Sequence, residues 1–255
     1  MFKILICSLL SIFVLSSCNV SFPDETLEQD AVKLIKEETQ QDTSVYRFGS
    51  TLYLDVCFDD LATNDRKKVN EIYNVLQKIV SNIVRIPLSS DANIDFVIVS
   101  AFDADYKTLL RLFENVDDIK KYSHQYISRE DFSERQIMEF EGPDRAREVV
   151  ENKYDITIEE YVARLVVSQL NNFARTNPFL STFLQILDLR FSHVDEKTFY
   201  FSSKKIENKK TIEILKNMLK AETVKDIQKY KLFSIKSAIL LDEEKNVIMN
   251  IPLSD

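Results

Sequence analysis

Apolar positions along the chain change period several times, and each change marks an expected element. Over residues 52–58, Leu52, Leu54, Val56 and Phe58 alternate with Tyr53, Asp55 and Cys57, the period of two that a strand requires. Val69, Ile72, Tyr73, Leu76, Ile79, Val80 and Ile83 then recur every three or four positions. That spacing predicts an amphipathic helix, which Pro87 is expected to stop. The segment IDFVIVSAF at 94–102 is apolar on both faces and predicts a central strand. Tyr106, Leu109, Leu110, Phe113 and Val116 fit helical spacing and predict a second amphipathic helix. Gln136 to Phe140 reads as a short edge strand ending at a Gly142-Pro143 turn.

Two helices are expected next, over about 144–153 and 157–175. The second opens on Thr157-x-x-Glu160, the spacing of a capping box, and ends at Asn177-Pro178. Phe179 to Leu187 adds a short apolar segment with a helical turn or two. The last third reads as hairpin, helix, hairpin: 187–193 with 197–203, a lysine-rich helical stretch over 208–230, then 232–241 with 246–252. No repeat of fixed period is visible. The fold class this predicts is α+β, with mixed or largely antiparallel sheet and several amphipathic helices. Two lobes are expected, 44–142 and 143–255, which can share one core.

Composition narrows the chemistry. The chain has 255 residues and only two glycines, Gly49 and Gly142, so it holds no P-loop, no GxGxxG turn and no GxSxG elbow. Two histidines, His124 and His193, do not make an HExxH zinc site. No cofactor motif is present, and an acidic chain of net charge −8 without a basic-aromatic motif is not expected to bind nucleic acid.

The N-terminus carries the most specific signal. Lys3 precedes an apolar run from Ile4 to Leu15, then Ser16, Ser17 and Cys18, which is the order of an export signal. The run is shorter than the ~20 residues that span a bilayer. Leu15-Ser16-Ser17-Cys18 resembles the lipobox of bacterial lipoproteins, and the resemblance covers residues 1–18 alone. It implies removal of residues 1–17, lipid attachment at Cys18, and a location in the bacterial cell envelope, with the membrane as partner through that anchor. Several acyl chains on one residue make a stable anchor, because each buried CH₂ contributes about 0.8 kcal/mol. Residues 18–43 are then expected as a spacer, in which Leu27, Ala31, Leu34 and Ile35 form a weak helical stripe behind a Thr26–Gln29 capping box. Cys57 is left as the lone unmodified thiol of the mature chain and is expected to be buried in its strand.

If 52–58 and 94–102 are parallel neighbours, their carboxyl ends bring together Asp59, Asp60, Asp103 and Asp105. Ligands bind at that end of open α/β sheets, and clustered carboxylates suit Mg²⁺ or Ca²⁺. The same aspartates also serve as ordinary helix caps. From Lys204 to Lys236, ten lysines face four acids, either an exposed face in water or a contact with anionic headgroups. Two function classes follow. One is a lipid-anchored envelope protein that binds an envelope protein or small ligand, or has a structural role. The other is a membrane-tethered divalent-metal hydrolase using the aspartate cluster.

Overall fold

The computed structural model of the chain describes residues 22–176, 188–206 and 208–253. Those residues form an α+β fold of two mixed sheets and seven helices. The first sheet has the order β1(43–48), β2(51–58), β3(96–103), β4(109–115), β5(137–141). The second has the order β6(190–194), β7(198–202), β8(237–241), β9(247–252). The helices are α1(27–39), α2(66–88), α3(116–123), α4(129–135), α5(143–151), α6(158–176) and α7(209–230).

The two sheets share a connectivity that the sequence does not display. β1–β2 is antiparallel, β2–β3 is parallel across α2, and β3–β4 is antiparallel. β6–β7, β7–β8 across α7, and β8–β9 repeat that pattern. The expected strand-helix-strand start and the C-terminal hairpin-helix-hairpin therefore belong to two copies of one ββαββ plan. The absence of a sequence period hides a topological duplication.

Each long helix covers the centre of its sheet. α2 starts at Asp65, whose Oδ1 accepts from the Lys67 N–H at 2.8 Å. It buries Ile79, Ile83 and Ile86 against Leu52, Leu54, Val56, Val97 and Val99. In its first half Val69 and Tyr73 are exposed, while Ile72, Val75 and Leu76 are half-buried against the same core. Pro87 lies within the last turn, and the helix ends one residue later at Leu88, where the missing proline N–H leaves the ladder incomplete. α7 begins at Asn208, whose Oδ1 accepts from the N–H of Lys210 at 2.9 Å. It buries Leu215, Leu219 and Ile227 in the core of the second sheet.

Three sequence expectations are corrected. Residues 109–115 are a strand, not a helix: Leu109, Arg111 and Phe113 are buried on one face and pair with both β3 and β5. The same apolar positions satisfy either period, and two flanking ladders decide for the sheet. Helix begins only at Val116, where Asn115 Oδ1 accepts from the Asp118 N–H at 3.1 Å. Residues 43–48, at the start of the first lobe, form edge strand β1, an element the apolar pattern does not predict. Most of the spacer is likewise built into the body, because α1 buries Leu27, Ala31 and Ile35 against α2 and β1. The Thr26–Gln29 capping box does not form; the Thr26 hydroxyl donates to Asp30 Oδ2 at 2.6 Å. Asn177-Pro178 and Phe179–Leu187 lie outside the described residues, as does Cys18.

α6 joins the two halves. It has few polar positions on its inner faces: Tyr161, Val162, Ala163, Leu165, Val166 and Leu170 are all buried. They belong to one core with Tyr53, Phe96, Ile98 and Phe113 of the first sheet and Phe199, Phe201, Leu240 and Ile251 of the second. Half of the Thr157–Glu160 capping box forms, the Glu160 N–H donating to Thr157 Oγ1 at 3.2 Å. The Glu160 carboxylate turns elsewhere.

Candidate functional site

The aspartates singled out from sequence are brought to one end of the first sheet, since β2 and β3 are parallel neighbours with Phe58 opposite Asp103. They do not converge on a common point. Asp103 is buried and closes the β3–β4 turn, accepting from the Thr108 N–H at 2.6 Å. Asp105 is exposed and ion-paired with Lys107. Asp59 and Asp60 are exposed. Among the described residues, no group of three or more His, Cys, Asp or Glu is placed to hold a metal ion. His124 is exposed at the end of α3. His193 stacks on Tyr200 at 4.0 Å, with Ser192 Oγ 3.1 Å from its Nδ1.

Cys57 is exposed, not buried. It shares the β2 face of Tyr53 and Asp55, opposite α2, at a hollow of ≈ 580 Å³ walled by Tyr46, Phe48, Phe102 and Tyr106. Partial burial, Asp59 and Asp103 all push its thiol above the usual range, so it is a poor nucleophile. Beneath it, Asp55 and Lys153 form a buried ion pair at 2.7 Å. Burial raises the Asp55 carboxyl despite that lysine.

The chemically richest place lies elsewhere, in a cleft of ≈ 460 Å³ between the edge strands of the two sheets, with α5 and α6 forming its walls. Its charges come from five separate elements. Arg111 of β4 donates to Glu139 Oε2 of β5 at 2.6 Å. Arg164 of α6 donates to Glu139 Oε1 at 2.7 Å and to Glu160 Oε1 at 2.8 Å. The Tyr154 hydroxyl donates to the same Glu160 oxygen at 2.6 Å. Glu141 of β5 meets Arg190 of β6 at 2.8 Å, and Arg190 also reaches Asp188 at 3.0 Å.

Arg164 is the hinge of this network. Its guanidinium lies 5.2 Å from the Phe113 ring centroid on one side and 4.6 Å from that of Phe191 on another. One ring comes from each sheet, so a single cation contacts both. Burial disfavours its charge, but Glu139 and Glu160 outweigh burial and hold its pKa above the ordinary value. Burial pushes Glu139 up; Arg164 and Arg111 overcome that and hold it below the usual carboxylate range. Every arginine of the inner network is thus matched to a carboxylate. The remaining polar lining holds the charged Arg145 and Glu148 of α5 and the uncharged Asn152, Ser168, Asn171 and Ser192.

The Arg111–Glu139–Arg164–Glu160 network has no nucleophile joined to a base, and each of its carboxylates is engaged by an arginine. It offers a wall of oriented donors and acceptors whose charges already balance. Comparison of the chain with protein-family models, with curated proteins and with solved structures finds no match.

Proposed function

We propose that the protein is a lipid-anchored protein of the bacterial cell envelope that binds a small polar ligand of no net charge in the cleft between its two sheets. The anchor rests on Leu15-Ser16-Ser17-Cys18 at the end of a short apolar run. No described helix is long and apolar enough to cross a membrane. The binding reading is carried by one observation, the internally matched Arg111–Glu139–Arg164–Glu160 network lining an open cleft.

A simple anion seated on Arg111 or Arg164 must displace a carboxylate from that arginine, in a place where stripping water from the released charge is costly. A neutral or zwitterionic ligand bonds to Asn152, Ser168, Asn171 and Ser192 without breaking those pairs. Cleft ligands of this size are held by a few oriented polar groups.

Two measurements test the reading. Wild-type protein is expected to fractionate with membranes and Cys18→Ser to be soluble; a wild-type mass showing an unmodified chain from Met1 overturns the anchor. The Cys18→Ser protein is then heated with dipeptides and disaccharides, with phosphate and citrate as anionic comparators. Occupancy at a hundred times Kd stabilises by about 2.7 kcal/mol, enough to raise Tm measurably. Stabilisation by the anions alone contradicts the proposed ligand class.

A further inference from the structure

The contacts of Phe22, four residues after Cys18, bear on which end of the molecule meets the membrane, given the anchor at Cys18 proposed above. Phe22 is already fastened to the body: its N–H donates to the Ser89 carbonyl at 3.3 Å, and Ser90 Oγ donates to the Phe22 carbonyl at 2.7 Å. Two residues later the Asp24 N–H donates to Asp91 Oδ1 at 2.7 Å, and the Asp24 carboxylate pairs with Arg47. The four peptide steps from Cys18 to Phe22 reach at most about 14 Å when fully extended. A 25-residue spacer as a coil would have given roughly 25–30 Å of free play.

Phe22 sits where β2 and β3 start. The Asp95 N–H bonds to the Ser50 carbonyl at 2.8 Å, which places loop 89–95 beside the β1–β2 turn. The opposite end of the same sheet carries Phe58, Asp103 and Glu141, the last opposite Leu109. An eight-residue strand separates the two ends by about 23 Å. Arg190 pairs with Glu141 at that far end, and a hollow shared by Arg145, Arg190, Lys204 and Lys245 continues from it.

We infer that the end formed by Phe22, Asp24, Gly49 and loop 89–95 rests on the headgroup layer of the bilayer, and that the Glu141–Arg190 end of the cleft, with Lys204 and Lys245, points away from it. The near surface exposes Asp24, Glu25, Asp91 and Asp95, so it has no attraction of its own for anionic lipid. The short tether, not charge, holds it there. The lysines at the far end are then presented to the space beyond the membrane, where the ligand arrives.

Fluorescence quenching tests this on the acylated full-length protein in phosphatidylcholine vesicles bearing a headgroup-linked quencher. One sample carries a fluorophore on native Cys57, near the far end; the other carries it on Asn93→Cys in a Cys57→Ser background. Both native side chains are exposed. Quenching at position 93 is expected to be several-fold stronger than at 57. Inserting twenty Gly/Ser residues between Cys18 and Phe22 is expected to erase the difference, since the tether then spans roughly 25–30 Å. Equal or reversed quenching in floating protein overturns the inference while leaving the anchor intact. A difference that survives the insertion overturns the tether as its cause. Protein that does not float with vesicles, and whose mass shows no acyl chains, overturns the anchor and the inference together.

Discussion

Glu141 and Arg190 are the last side chains of the first sheet and the first of the second, and they meet at 2.8 Å across the gap between edge strands. The pair is asymmetric: the Glu141 side chain is 10% exposed and that of Arg190 33%. Removing the arginine therefore strands the more buried partner. Arg190→Gln is expected to cost about 1–2 kcal/mol, between the value of a surface pair and that of a broken buried one. Urea titration of Arg190→Gln, Glu141→Gln and the double variant checks this. The double variant should recover part of the loss, because both charges are then gone; strict additivity would show that the two do not interact.

Arg164 is expected to be the costliest charge to delete. Arg164→Met leaves Glu139 and Glu160 without their shared cation, and breaking such a buried arrangement typically costs about 3–5 kcal/mol. Arg164→Lys should not rescue it. An ammonium neither bridges two carboxylates in a plane nor lies flat between Phe113 and Phe191. Thermal midpoints of both variants test the argument, and a Lys variant within 1 °C of wild type would refute it.

Sequence pattern located the elements whose period is unambiguous. β2, α2 and α6 each display one apolar face, β3 is apolar on both, and the C-terminal unit is marked by its two apolar hairpins about a lysine-rich helix. β4 did not, because Arg111 interrupts its apolar alternation; that arginine is buried only through Glu139, a partner 28 positions away. β1 was lost because Ser44, Tyr46 and Phe48, all exposed, blur its pattern. Alternation does not foretell the exposure of Cys57, because Tyr53 and Asp55 on the same face of β2 are buried and only Cys57, near the strand's end, is not.

The cleft was illegible for a different reason. Glu139 and Glu141 alternate on β5, and Arg164 follows Glu160 by one turn among the apolar positions of α6, which are the local signals available. Nothing local says that these charges, with Arg111 and Arg190, assemble in space. Reading the site required the pairing of two edge strands that no sequence period relates.

Gly49 is expected to be the one glycine that tolerates no side chain. It sits at φ 57°, and a Cβ there would overlap the Asp155 carboxylate. Asp155 Oδ1 accepts from the Ser50 N–H at 2.9 Å and from the Thr51 hydroxyl at 2.9 Å, so the overlap would disturb the β1–β2 turn. Gly49→Ala should lose at least the ~1–2 kcal/mol of left-handed strain. Gly142 faces open space at the start of α5, and Gly142→Ser should be neutral or gain a few tenths of a kcal/mol as a better cap. Paired unfolding curves decide; equal effects at the two positions would contradict the account.

Stability is expected to fall as pH rises from about 4.5 to 7, and Glu114 is the main cause. It is 3% exposed, and burial raises its carboxyl to about 7, against a lowering hydrogen bond from Gln136 Nε2 at 2.6 Å. Its other oxygen has no hydrogen-bond partner. Asp226, fully buried on α7, is raised to about 6 by burial despite Lys229 and Lys225. The sign follows from proton counting. Between the unfolded and folded pKa values the native state binds more protons than the unfolded chain, so the slope of stability with pH is negative. The penalty is absent well below the unfolded value and complete above the folded one, amounting for Glu114 to at most about 3 kcal/mol. Groups held low, such as Glu139, act below this window and with the opposite sign. Glu114→Gln keeps an acceptor for Gln136 and removes the titration. Urea unfolding at pH 5 and pH 8 should show the wild type losing stability across the interval and Glu114→Gln losing much less. Asp226→Asn should flatten the lower part of the same slope. A variant that loses as much as the wild type would place the proton on some other group.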